Sequence, residues 1–202
     1  MKVGVLASGT GSNLQAILDR VHGHDAEVVA VGSDKPGAQA LERARSAGVA
    51  TATFPAGEYA DRTARDVAMA AWLRQQGAEL VVLAGYMQLV GAAFLSAFPR
   101  GVINVHPALL PAFPGLAAIE QALAYGVKVF GVTVHFVDEG VDSGPIILQR
   151  ALELPDVTDA TIVRDLLRPL EHELLTTAVS LIAHDRVRLD PAHPRRVLVE
   201  VP

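Results

Sequence analysis

Cysteine is absent from the 202 residues. Disulfides, thiolate nucleophiles and every Cys-ligated metal centre are excluded together, which fits a reducing compartment. Basic charge is also scarce: 17 Lys and Arg stand against 22 Asp and Glu, for a formal net charge of −5. A chain whose main partner is nucleic acid carries the opposite balance, because duplex binding leans on a basic face. No G-x-S-x-G elbow occurs, which argues against a serine triad. The N-terminal apolar run reaches a glycine-rich turn within a few residues, too soon for a signal peptide. Internal repeats and low-complexity stretches are missing too. The expectation is a cytoplasmic protein that uses neither nucleic acid nor membrane, as a monomer or homodimer. Residues 78–98 are long and apolar enough to imitate a membrane span. Gly85, Gln88 and Gly91 interrupt them, and they read instead as a buried strand, a turn and a short helix.

Half the residues are hydrophobic and the mean hydropathy is +0.32, so a full core is available. Apolar runs at residues 3–7, 28–32, 50–54, 80–84, 101–106, 129–137 and 145–154 read as strands. Amphipathic stretches at 13–22, 39–47, 61–76 and 117–125 read as helices, and 158–184 reads as helical with a break at Pro169. Strands alternating with helices predict an α/β fold: a Rossmann-like, open, mostly parallel twisted sheet with helices on both faces. A single domain covers 1–202, with a core of about 1–184 and a C-terminal extension at 185–202. Ligands of such sheets bind beyond the carboxyl ends of the strands.

Ser8-Gly9-Thr10-Gly11-Ser12-Asn13 joins the first strand to the first helix. Glycines allow the sharp turn, and the helix N-terminus presents unpaired N–H groups to an anion, with Ser12 and Asn13 as candidate caps. A dinucleotide fingerprint would need a third glycine where Leu14 stands, although Asp34 lies near the place of a ribose-binding acid. One phosphomonoester suits the loop better, and a tight turn without a ligand is the bland alternative.

Asn104 and His106 alternate along a strand end, and Asp142 lies in a glycine-flanked acidic loop. Acyl transfer between nitrogens passes through an oxyanionic tetrahedral intermediate, which needs an oxygen donor and a proton shuttle. Asn104 supplies an amide N–H, and an imidazole such as His106 titrates near neutral pH. A carboxylate beside an imidazole orients it and stabilises its protonated form. His135 either lines this site or packs beneath it. His22, His24, His184 and His193 read as satisfied structural residues. A metal held by His106, His135 and Asp142 is the competing reading, which nothing in their spacing favours.

Four segments in order carry a resemblance. They are Ser8–Gln15, Ala84–Met87, Asn104–Pro107 with Leu109-Leu110-Pro111, and His135-Phe136-Val137 with Val141–Pro145. Together they resemble the phosphoribosylglycinamide formyltransferases of purine biosynthesis over nearly the whole chain. The resemblance implies a formyltransferase fold. It also implies transfer of the formyl group of 10-formyltetrahydrofolate to the amine of glycinamide ribonucleotide, with no metal. Asn104, His106 and Asp142 match the catalytic trio. Gly11, Ser12 and Asn13 match the phosphate loop, and Glu171 matches a ribose contact. Arg62, Met87, Gln88, Leu89, Val90, Asn104, Val137 and Asp138 match positions around the folate. Ala112, Ala117 and Gln88 depart from the pattern: many relatives carry Lys at the first, His often stands at the second, and some relatives carry Arg at the third. Methionyl-tRNA formyltransferases and formyltetrahydrofolate deformylases share parts of the pattern but carry further domains. A Rossmann-like oxidoreductase or silent nucleotide-binding module remains the alternative from another class. Residues 185–202, with Arg195 and Arg196, match nothing in the family pattern.

Overall fold

Short aliphatic runs bounded by glycine, proline or polar turns form the strands, as expected of a sheet buried on both faces. The structure is a computed structural model and describes residues 1–200. The chain divides into two units, Met1–Asn104 and Val105 onward. In the first, β1 (Lys2–Leu6), α1 (Ser12–Arg20), β2 (Glu27–Ser33), α2 (Gln39–Ser46) and β3 (Ala50–Thr53) follow one another. A 3-10 turn (Ala56–Glu58), α3 (Arg62–Gln75), β4 (Leu80–Leu83), α4 (Ala92–Leu95) and β5 (Val102–His106) complete it. The strand order is β3-β2-β1-β4-β5, and all four pairings are parallel. β4 is buried at every position, and Val3, Val5, Leu14, Ile17, Leu41, Leu73 and Val82 are sealed from solvent around it. The membrane-like stretch is thus divided among β4, a turn and α4. Among the described residues, no helix is long and apolar enough to cross a membrane.

β5 runs on into the second unit, where the order of the seven-stranded sheet continues β5-β6-β7. This unit holds α5 (Ala118–Tyr125), β6 (Val129–Phe136), β7 (Ile146–Glu153), α6 (Ala160–Ala183), β8 (Val187–Asp190) and β9 (His193–Val199). β6 and β7 are antiparallel, and α6 packs on both.

Two expectations need correction. α6 runs unbroken through Pro169 for 24 residues. A proline inside a helix costs about 3 kcal/mol. Val163 and Leu167 before it and Leu174, Leu175 and Val179 after it are all buried on the same helix. Each large side chain contributes about 1.5–3 kcal/mol on burial, so packing on both sides outweighs one missing hydrogen bond. The cap of α1 is Gly11 rather than Ser12 or Asn13, at φ 72° and with no side-chain cap bond. A Cβ there would stand 2.8 Å from Ala40 Cα, so only glycine lets the loop pass α2 this closely. The extension from residue 185 adds two strands that the sequence reading did not assign. β8 and β9 form an antiparallel hairpin, and β9 lies against β7. Residues 201–202 of that extension lie outside the described residues.

Candidate active site

In the first unit the glycine loop is braced from behind. Ala40 N–H donates to the Gly9 carbonyl at 3.1 Å, and Arg43 Nε donates to the Thr10 carbonyl at 2.8 Å. The first bond of α1 runs from Gln15 N–H to the Gly11 carbonyl at 2.9 Å. The N–H groups of Ser12, Asn13 and Leu14 therefore precede the helical ladder and form a small anion-binding cradle.

Ser8 ties that loop to the segment after β4. Its N–H donates to the Gly85 carbonyl at 3.1 Å, and its Oγ accepts from Met87 N–H at 2.8 Å. Arg62, Met87, Gln88 and Leu89 line one cavity of about 430 Å³ together with Tyr59 and Arg65. Val90 is buried instead of lining it. Arg65 was not legible as a functional residue: an Arg-Asp step in an amphipathic helix reads as solvated charge. In the structure Arg65 is only 3% exposed; it donates to the Leu89 carbonyl at 3.1 Å and to Gln88 Oε1 at 3.3 Å. Asp66 accepts from Gly91 N–H at 2.7 Å. Gln88 Nε2 in turn donates to Asp34 at 3.3 Å. The neutral Gln88 amide thus bridges a cation and an acid. Burial pushes the Tyr86 phenol up to about 12, so it stays protonated beside this segment.

Asn104 and His106 occupy alternate positions of β5, so their side chains leave the same side of the strand. In the second unit His106 is 5% exposed. Its Nδ1 stands 3.3 Å from Asp142 Oδ2, and its Nε2 bonds the Phe113 carbonyl at 2.8 Å. His135, 1% exposed, places Nε2 3.5 Å from the other oxygen, Asp142 Oδ1. Its Nδ1 bonds the Phe136 carbonyl at 2.8 Å. Carbonyl and carboxylate oxygens both only accept, so a neutral ring donates to one of its two partners and an imidazolium to both, and each ring bridges a main-chain carbonyl to the same carboxylate. His135 therefore shares the Asp142 carboxylate with His106. Gly115 N–H donates to Asp142 Oδ2 at 2.7 Å. Phe113 and Gly115, both at positive φ in the proline-rich loop, thus hold the pair through their backbones. Spacing in the sequence could not reveal contacts made by main-chain atoms.

Burial raises the Asp142 pKa. The His135 hydrogen bond, the Gly115 N–H and the nearby imidazoles outweigh that and hold it below the ordinary carboxylate value. Asp138, expected near the folate, braces its own loop: Oδ1 accepts from Ser143 Oγ at 2.6 Å and from Gly140 N–H at 3.1 Å. Val137 follows β6 at the loop's entrance, and Glu171 lies on α6 two residues past Pro169. Among the described residues, no group of three or more His, Cys, Asp or Glu is arranged to hold a metal ion.

The order of elements and the His106–Asp142–His135 cluster invite comparison with known enzymes. Residues 1–179 match the formyl transferase family. The chain belongs to that family. Within it, the chain is 42% identical over 174 residues to the phosphoribosylglycinamide formyltransferase of Bacillus subtilis, covering 85% of this chain and 89% of that protein. It is 45% identical over 180 residues to the enzyme of the same name from Mycobacterium tuberculosis, covering 89% and 83%. The structure of glycinamide ribonucleotide transformylase 1 from Symbiobacterium toebii superposes with a TM-score of 0.93 at 46% identity. That match covers 100% of this chain and 94% of the other. The family accounts for the fold. It makes this formyl transferase an enzyme acting on small molecules, with a folate-derived formyl donor.

Proposed function

We propose that this formyl transferase moves the formyl group of 10-formyltetrahydrofolate to the amine of glycinamide ribonucleotide in purine biosynthesis, with Asn104, His106 and Asp142 as its catalytic groups. The observation that carries the reading is the His106–Asp142 contact at 3.3 Å, made on a strand whose alternate position is Asn104. The acceptor phosphate sits at Gly11, Ser12 and Asn13, where backbone N–H groups and the helix N-terminus favour an anion. Glu171 takes the ribose hydroxyls. The folate is assigned to Arg62, Met87, Gln88, Leu89 and Val90, and Val137 and Asp138 are assigned to it as well.

The substrate amine attacks the formyl carbon directly, and the carbonyl oxygen gains negative charge. Asn104 donates its amide N–H to that oxygen, in a site where such a donor is worth more than in water. His106 relays the proton lost by the attacking amine toward the leaving folate nitrogen. A substrate nitrogen reaching His106 Nε2 takes the place of the Phe113 carbonyl. Asp142 holds Nδ1 of His106 and stabilises the imidazolium that forms, while His135 and Gly115 keep the carboxylate ionised. No covalent enzyme intermediate is needed, in keeping with a chain that has no cysteine.

A spectroscopic assay with both substrates tests this. The wild-type chain is expected to release tetrahydrofolate in step with formylated product, and His106→Ala is expected to lower kcat by about 10²–10⁴-fold. Absence of turnover in the wild type, or an unchanged rate in His106→Ala, overturns the proposal.

A further inference from the structure

The hairpin β8–β9 lies beyond residues 1–179, which match the family, and it reaches the loop that carries Asp142. Arg195, on β9, donates from Nη2 to the Ser143 carbonyl at 2.6 Å, across 52 residues of sequence. Ser143 directly follows Asp142. We propose that Arg195 is a positioning residue for catalysis: its guanidinium clamps the Ser143 carbonyl and so fixes the turn that aims the Asp142 carboxylate at His106 and His135. The proposal rests on the catalytic role given above to Asp142.

The turn needs such a clamp. Asp142 sits at φ 48°, in the left-handed region that a residue with a side chain avoids. A backbone in that state persists only where the surroundings over-determine it. Within the loop, Asp138 holds the Ser143 hydroxyl, and Phe136 N–H donates to the Pro145 carbonyl at 2.9 Å. A Cβ on Gly144 would fall 1.7 Å from the Phe136 carbonyl, so the chain is pressed against β6 at that point. The other side is open: a cavity of about 430 Å³ is bordered by Pro111, Pro114, Val141, Asp142, Gly144 and Arg195. No packed core supports the turn there. Arg195 supplies a charge-assisted bond to the one carbonyl that sets the Ser143–Gly144 peptide plane. Without it, ψ of Ser143 loses its restraint on the open side, and only the Asp138 and β6 contacts remain. φ of Asp142 can then relax toward negative values and carry the carboxylate away from both imidazoles. Asp138, His106, His135 and Arg195 are the titratable and charged groups that face this turn.

The test uses the full chain in four forms: wild type, Arg195→Ala, Arg195→Lys and Arg196→Ala. Arg196 lies on the same hairpin but pairs with Asp190 at 4.0 Å, so it controls for hairpin integrity. Carbon NMR titration of the Asp142 carboxyl, assigned with Asp142→Asn, reads the clamp independently of activity. In Arg195→Ala its midpoint is expected to move up, and in Arg196→Ala to stay. In kinetics, Arg195→Ala is expected to lower kcat on the order of 10- to 100-fold with KM for the phosphorylated acceptor unchanged. The acid limb of kcat should move to higher pH, and Arg195→Lys should recover most of the rate. Added to Asp142→Asn, Arg195→Ala should cost little more, because the two act as a unit. An unmoved midpoint in Arg195→Ala, equal losses in Arg195→Ala and Arg196→Ala, or full additivity with Asp142→Asn each overturns the clamp. A wild type that shows the clamp by NMR yet turns over nothing overturns the catalytic reading instead.

Discussion

At the residue scale, the contacts around Asp142 set the pH range over which the cluster is whole. One carboxylate faces two imidazole nitrogens and one backbone N–H, so its ionised form is the better-solvated state despite partial burial. A folded-state pKa held below the unfolded value gives stability that is fully present above the unfolded value, near 4. That stability is lost as pH falls through the folded pKa. The difference in unfolding free energy between wild type and Asp142→Asn is therefore expected to be level through mildly acidic pH and to shrink below about pH 4. Urea melts at stepped pH check this, and a difference that grows on acidification contradicts it. His106 and Asp142 were legible in the sequence because polar side chains stood at strand ends and in a glycine-flanked loop, where parallel sheets place chemistry. Arg65 and Arg195 were not. One hides in an amphipathic helix as if solvated, and the other acts through a main-chain carbonyl that leaves no residue type to read.

Among the elements, the strands and helices lay close to their sequence-based bounds because their hydrophobic periods were unmixed. The misreadings occurred where a local rule competed with packing. Pro169 is a breaker by its chemistry, yet α6 keeps buried side chains on both sides of it, and tertiary burial overrides propensity. Its cost should still be recoverable. Pro169 is exposed, so Pro169→Ala restores a helix hydrogen bond without opening a cavity. The substitution is expected to raise unfolding free energy by about 1–2 kcal/mol, after allowing for the freedom it returns to the unfolded chain. Calorimetry should then show Tm higher by roughly 2–8 °C. A lower Tm would mean that the proline shapes α6 to fit β6 and β7. The hairpin β8–β9 was missed for a different reason. None of its strand residues is buried, so no buried face wrote an alternating pattern into the sequence.

For the molecule as a whole, a net charge of −5 sits with ligands that are themselves anions. Global attraction cannot supply the binding, so local groups must: main-chain N–H donors at α1 and the arginines beside residues 87–89. This separates holding the acceptor from reacting with it, and stability reads the first without the second. A ligand that binds only the folded chain at 100 times its Kd adds about 2.7 kcal/mol to unfolding. At this length that corresponds to a Tm rise of roughly 5–10 °C. Glycinamide ribonucleotide is expected to produce that rise in the wild type and to keep it in Asp142→Asn, whose anion loop is intact. Gly11→Ala should lose it, because a Cβ at φ 72° collides with Ala40 and displaces the donors. The ligand-free Tm of each variant gives its own baseline, so a merely weakened fold is not mistaken for lost binding. Equal shifts in all three proteins would move the phosphate away from the first turn, and loss in Asp142→Asn would make its carboxylate a binding group rather than a catalytic one.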